Sequence, residues 1–88
     1  MRTFSRTSQF KKDAKLAGKR GYKLEKLKVI LDLLIKGEPL PPQYKDHPLR
    51  GSYAESRDCH IEPDWILIYT LEGNHVRFER TGTPSDLF

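Results

Sequence analysis

"RDCHIEPDWILIYTLEGNHVRFERT", residues 57–81, decides the fold. At its centre "WILIYTL" (65–71) shows almost no polar alternation, the pattern of a strand in the middle of a sheet with both faces covered. "RDCHI" (57–61) precedes it and "HVRFERT" (75–81) follows it, and both carry strand signals. The separators, Glu62 to Asp64 and Glu72 to Asn74, are short enough for antiparallel hairpins. Val76 and Phe78 should face one way and Arg77 and Glu79 the other. "LRGSY" (49–53) offers one more strand before the set.

Working outward, "RTFSR" (2–6) reads as a short edge strand. In "TSQFKKDAKLAGKRG" (7–21), Phe10, Ala14 and Ala17 recur at helical spacing behind Ser8 as a cap. From Tyr22 to Lys36 the set Leu24, Leu27, Ile30, Leu31, Leu34 and Ile35 keeps to one helical face, with Lys23, Lys26 and Asp32 opposite. Gly37 and Pro39 end that helix, and "EPLPPQYKDHP" (38–48) is a proline-stiffened loop delivering His47 to the next strand. Two helices followed by an antiparallel meander make an α+β domain with the helices packed on one sheet face. The other face, or its rim, is left for a partner or substrate.

With 88 residues the chain is read as one domain with a thin core. Its single cysteine, Cys59, excludes an intramolecular disulfide and leaves the cytosol as the default location. No apolar stretch approaches the ~18 to 20 residues of a membrane span, and no secretory signal is expected at the N-terminus. The net charge of +4 is uneven: residues 1–28 carry +8 and residues 29–88 carry −4. Such a concentrated positive field attracts RNA, DNA or an acidic protein, and a lysine-rich helix surface kept soluble by its charge is the plainer reading.

The titratable residues crowd the start of the central strand. In the strand reading His60 shares its face with Asp58 and Glu62, while Cys59 and Ile61 point to the core. No pair or cluster has metal-ligand spacing, so no metal and no cofactor are expected. A Cys/His or Ser/His/Asp triad is poorly supported, since Cys59 faces the core. Metal-free RNA cleavage fits better. The ribose 2′-hydroxyl is its own nucleophile, so the protein needs a proton acceptor, a proton donor for the departing 5′-oxygen and positive charge at the phosphate. His47, His60 and Asp64 supply acid and base in this reading, and Arg80 or Arg57 holds the phosphate. Beside it stand ordinary roles: a solvated strand histidine, a turn-forming aspartate, a cross-strand ion pair and, for Trp65, a core anchor.

"YKDHPLRGSY" (44–53), "RDCHIEPDWILIY" (57–69) and "RFERTGT" (77–83) followed by "DLF" (86–88) resemble, in order and spacing, the YafQ branch of the RelE/ParE superfamily of bacterial toxins. The resemblance extends over nearly the whole chain and is strongest from Tyr44 to Phe88. It implies a RelE-like fold, β-α-α-β-β-β-β, with two N-terminal helices on a curved antiparallel sheet. It implies a toxin of a type II toxin–antitoxin pair, a metal-independent endoribonuclease that cuts messenger RNA in the A site of the 70S ribosome. A cognate DNA-binding antitoxin, DinJ/RelB-like, is the implied partner. On the family pattern His47, His60 and Asp64 are active-site residues, Arg80 matches the phosphate-binding arginine, and Phe88 matches the C-terminal aromatic. Lys11, Lys12, Lys15, Lys19 and Arg20 would track ribosomal RNA, on a face for which the antitoxin could compete.

One position departs from that pattern. YafQ-like toxins usually place a catalytic histidine after "GT" or "GS" near the C-terminus, where this chain has Pro84. Either His47 and His60 serve as acid and base in a natural variant, or the sequence has been altered to weaken the toxin. A weakened or inactive member acting as an antitoxin- or ribosome-binding module is therefore the rival reading. A ParE-like gyrase inhibitor is disfavoured, since His47, His60 and Asp64 would then have no task.

Overall fold

A computed structural model describes residues 1–49 and 55–88. Among the described residues, five strands form one sheet in the order β1-β5-β4-β3-β2. They are β1 (Thr3–Arg6), β2 (His47–Pro48), β3 (Ser56–Glu62), β4 (Trp65–Glu72) and β5 (His75–Gly82). Helices α1 (Ser8–Lys19) and α2 (Leu24–Lys36) cover one face, and a single turn, α3 (Pro84–Leu87), follows β5. No helix among the described residues is long and apolar enough to cross a membrane.

The central position of β4 is written in its sequence. Trp65, Leu67 and Tyr69 enter the core beneath the helices with Leu27, Ile30, Leu34, Val76 and Phe78. Ile66 and Ile68 point the other way and are covered by Leu87, with Leu49 packed alongside. Both faces are thus buried, each large side chain contributing roughly 1.5 to 3 kcal/mol. Trp65 is a core anchor: its ring stacks on Tyr22 at 4.8 Å between centroids, and its Nε1 donates to Oγ1 of Thr81 at 2.9 Å.

The antiparallel meander β3-β4-β5 forms as expected, but the N-terminal edge strand is parallel to β5, which makes the sheet mixed. Connecting β1 to β5 through the rest of the chain permits that direction, where a hairpin would not. The strand expected over 49–53 lies, beyond Leu49, outside the described residues; β2 pairs His47 with Asp58 and Pro48 with Arg57.

Thr7, rather than Ser8, caps α1. Its extended backbone lets Oγ1 accept from the Phe10 N–H at 2.9 Å, and the same hydroxyl donates to the Glu79 carbonyl, tying the helix start to β5. Helix α2 begins at Leu24, with Tyr22 outside it and Leu24 largely exposed. Gly37 closes α2 at φ 79°, a left-handed conformation that glycine adopts without strain.

Candidate active site

The strand registers set His47, Asp58, Ile68 and Arg80 in one row across β2, β3, β4 and β5. The adjacent row on the same face holds His60, Ile66 and Gly82. The two isoleucines and Leu87 form an apolar floor between the histidine side and the arginine side.

The imidazoles of His47 and His60 are brought together, stacked at 6.4 Å between centroids and 27° between planes. Nδ1 of His47 lies 2.8 Å from the Lys45 carbonyl, which can only accept, so that nitrogen carries a hydrogen. Its Nε2 lies 2.9 Å from Oδ1 of Asp58. That is ion-pair distance, although no hydrogen bond reaches this buried oxygen among the described residues. Burial pushes the Asp58 carboxyl above the ordinary range, against the pull of His47 and His60, while Asp46 adds to the rise. Nδ1 of His60 lies 3.2 Å from the Pro63 carbonyl, which likewise can only accept, so that nitrogen carries a hydrogen.

Asp58 is a candidate site residue to which sequence reasoning assigned no role. Strand alternation put it on the face of His60, but only the pairing of β2 with β3 shows that it lies beneath His47. A buried carboxylate opposite a histidine is a signal that composition alone does not carry.

The other expected site residues are more widely spread. Asp64 is exposed in the turn between β3 and β4 and makes no side-chain hydrogen bond or ion pair among the described residues. Arg80 belongs to the row of His47 and Asp58, but its guanidinium reaches Asp13 of α1. There Nε and Nη2 donate to the two carboxylate oxygens of Asp13 at 3.0 and 3.1 Å. Asp13 also accepts from Gln9 at 3.0 Å and from the Thr81 N–H at 3.3 Å. Burial raises this carboxyl's affinity for a proton, yet the Arg80, Gln9 and Thr81 hydrogen bonds outweigh it and hold it below the usual value. Arg57, the other phosphate candidate, lies on the helical side of the sheet, where Nε donates to Asp46 at 3.2 Å beside Tyr69. It cannot serve a site on the opposite face.

Glu62 also departs from its expected face. The register shifts between His60 and Glu62, so Glu62 pairs with Trp65 and lies 3.7 Å from Lys26 of α2. Cys59 is fully buried in the core, as its alternation required, and burial raises its thiol well above the ordinary value, which removes it as a nucleophile.

Pro84 is exposed at the first position of α3, where its fixed φ suits a helix start. Thr83 and Asp86 close a capping box around it. Leu87 is buried against Ile66 and Ile68, and Phe88 is 64% exposed. Lys11, Lys12, Lys15 and Lys19 are exposed on α1, whereas Arg20 is paired with Asp86 at 2.7 Å. Among the described residues no three His, Cys, Asp or Glu side chains are grouped to hold a metal.

Comparison with known proteins shows the family and agrees with the fold. Residues 2–88 match the family model described as the bacterial toxin of a type II toxin–antitoxin system, YafQ. The mRNA interferase toxin YafQ of Escherichia coli K12 is 55% identical over 83 residues, covering 93% of this chain and 90% of that protein. The crystal structure of YafQ from E. coli BL21(DE3) superposes with a TM-score of 0.96 at 53% identity, over 100% of this chain and 99% of that one. YafQ in the E. coli DinJ-YafQ complex superposes with a TM-score of 0.94 at 53% identity, over the same shares of each chain. From its fold, its motif positions and these matches, the chain belongs to the YafQ family of type II toxin–antitoxin toxins.

Proposed function

We propose that this chain is an mRNA interferase that cuts messenger RNA in the ribosomal A site by attack of the ribose 2′-hydroxyl, and that a DinJ-like antitoxin neutralises it. The single observation that carries the mechanism is the unlike surroundings of two neighbouring rings. The His60 ring, protonated on Nδ1 by its bond to the Pro63 carbonyl, keeps the Nε2 lone pair for the 2′-hydroxyl proton. His47 has Nδ1 committed as a donor to the Lys45 carbonyl and Nε2 beside the Asp58 carboxylate, surroundings unlike those of His60. The Nε2–H of the His47 ring, near Oδ1 of Asp58 without a hydrogen bond to it, is the proton given to the departing 5′-oxygen, which leaves His47 with its Nδ1–H.

Asp58 in this scheme positions His47 without touching the RNA. Arg80, in the backbone row of Ile68 and held by Asp13, is the cation assigned to the phosphate. Phe88 offers an exposed ring for stacking on a base, and Asp64 lies at the hairpin end beyond His60. Pro84 cannot transfer a proton, so the rate is expected to fall below that of a relative with histidine at this position. The names of the E. coli relatives support the activity and the partner.

Primer extension on messenger RNA from translating ribosomes tests the reading. Cuts at A-site codons are expected with the parent chain, and none on the same RNA without ribosomes. Intact message in both samples would end it.

A further inference from the structure

A hollow of about 320 Å³ opens beside His60, lined by Gln43, Tyr44, Lys45, Ile61, Glu62 and Pro63. It arises from the shortness of β2. That strand pairs only with Arg57 and Asp58, so among the described residues no strand covers the outer edge of β3 from His60 onward. The 3₁₀ turn Pro42–Tyr44 stands opposite as the second wall. Lys45, at φ 49°, then reverses the chain so that its carbonyl reaches His47.

The lining is mixed in a way that suits a flat heteroaromatic ring. Ile61 and half-buried Tyr44 belong to the packed core and give a firm apolar wall. Gln43 is exposed and carries an amide that both donates and accepts, and the Glu62 carboxylate is steadied by Lys26 at 3.7 Å. His60 itself completes the lining.

We propose that this hollow binds the nucleobase of the nucleotide whose 2′-oxygen faces His60, with Gln43 reading its edge. The proposal rests on the nuclease reading above and deepens it. A ribose presenting its 2′-oxygen to Nε2 of His60 carries its base one glycosidic bond away, and His60 is among the residues that line the hollow. Unstacked bases are recognised by apolar and aromatic faces together with polar groups at their edges, which this lining offers. A hollow of this size falls at the lower end of small-ligand sites.

The test uses the full chain and 2′-O-methyl RNA tetranucleotides identical except for the base at one position, with binding read from backbone amide shifts. Affinities for the four bases at one position should differ by about fivefold or more, and Gln43→Ala should reduce that spread to under about twofold. The shifts should centre on residues 43–45 and 60–62. Equal affinity for all four bases at every position, or shifts lying away from those residues, overturns the proposal. Gln43 is exposed, so loss of folding does not confuse the result. The tetranucleotides lack a free 2′-hydroxyl, so discrimination is read whether or not the chain cuts, and the ribosome assay decides the nuclease reading separately.

Discussion

Nε2 of His47 stands 2.9 Å from Oδ1 of Asp58, an exposed ring set against a carboxylate side chain only 6% exposed. Burying half of an ion pair is costly, and the exposure of the other half sets the cost of breaking it. Asp58→Asn leaves His47 hydrated rather than stranded, so the 3 to 5 kcal/mol typical of breaking a fully buried pair should not appear.

The pH dependence has a definite sign. The folded chain holds the Asp58 proton more tightly than the unfolded chain, so this group's contribution to stability is full below the unfolded value and is lost as pH rises through the folded one. Asp58→Asn should therefore match or exceed the parent in Tm at pH 7 and lose that advantage near pH 3. Cleavage should fall roughly tenfold or more, because His47 loses its positioning. Thermal melts at both pH values, alongside the ribosome assay, check the two halves.

Asp13 behaves in the opposite way. Its carboxyl is held below the usual value, so its contribution is present above the unfolded value and lost as pH falls through the folded one. Asp13→Ala takes the acceptor from Arg80 and from the Thr81 N–H, and should cost about 2 to 4 kcal/mol at pH 7. Urea unfolding at pH 7 and pH 2.5 should show that loss shrinking in acid.

Much of this fold was legible because β4 is apolar on both faces and α2 ends at a glycine. His47 and His60 were legible as candidate site residues, and the structure sets their rings side by side. The relationships that were not legible depended on register: the shift after His60 that turns Glu62 toward Lys26, the pairing that slides Asp58 under His47, and the Asp13–Arg80 strap joining distant parts of the chain. The alternation of a single strand contains none of them. Arg20 illustrates the same limit, since a basic residue near a helix end reads as a surface cation until α3 brings Asp86 against it.

Pro84 is exposed at a helix start that Thr83 and Asp86 cap independently of it, so Pro84→His should fold normally. It places an ionisable ring where the family resemblance implies one. Ribosome-dependent cleavage should rise about tenfold or more. Equal rates for the two forms would remove Pro84 as the cause of any weakness.

The exposed lysines of α1 lie apart from the histidines, and their task in this account is electrostatic. Changing Lys11, Lys12 and Lys15 together to Glu should weaken ribosome binding and flatten its salt dependence, lowering the log–log slope by roughly two to three. Filter binding across a salt series measures both. An unchanged slope would assign ribosome contact to another surface.

The central claim is that the facing rings of His47 and His60 perform the proton transfers of RNA cleavage. Its most direct test is the single-turnover cleavage rate on programmed ribosomes for the parent and for His60→Ala at matched occupancy. The expected fall is roughly 10²- to 10⁴-fold, with ribosome affinity and Tm preserved. A His60→Ala chain that cuts at the parental rate would contradict it.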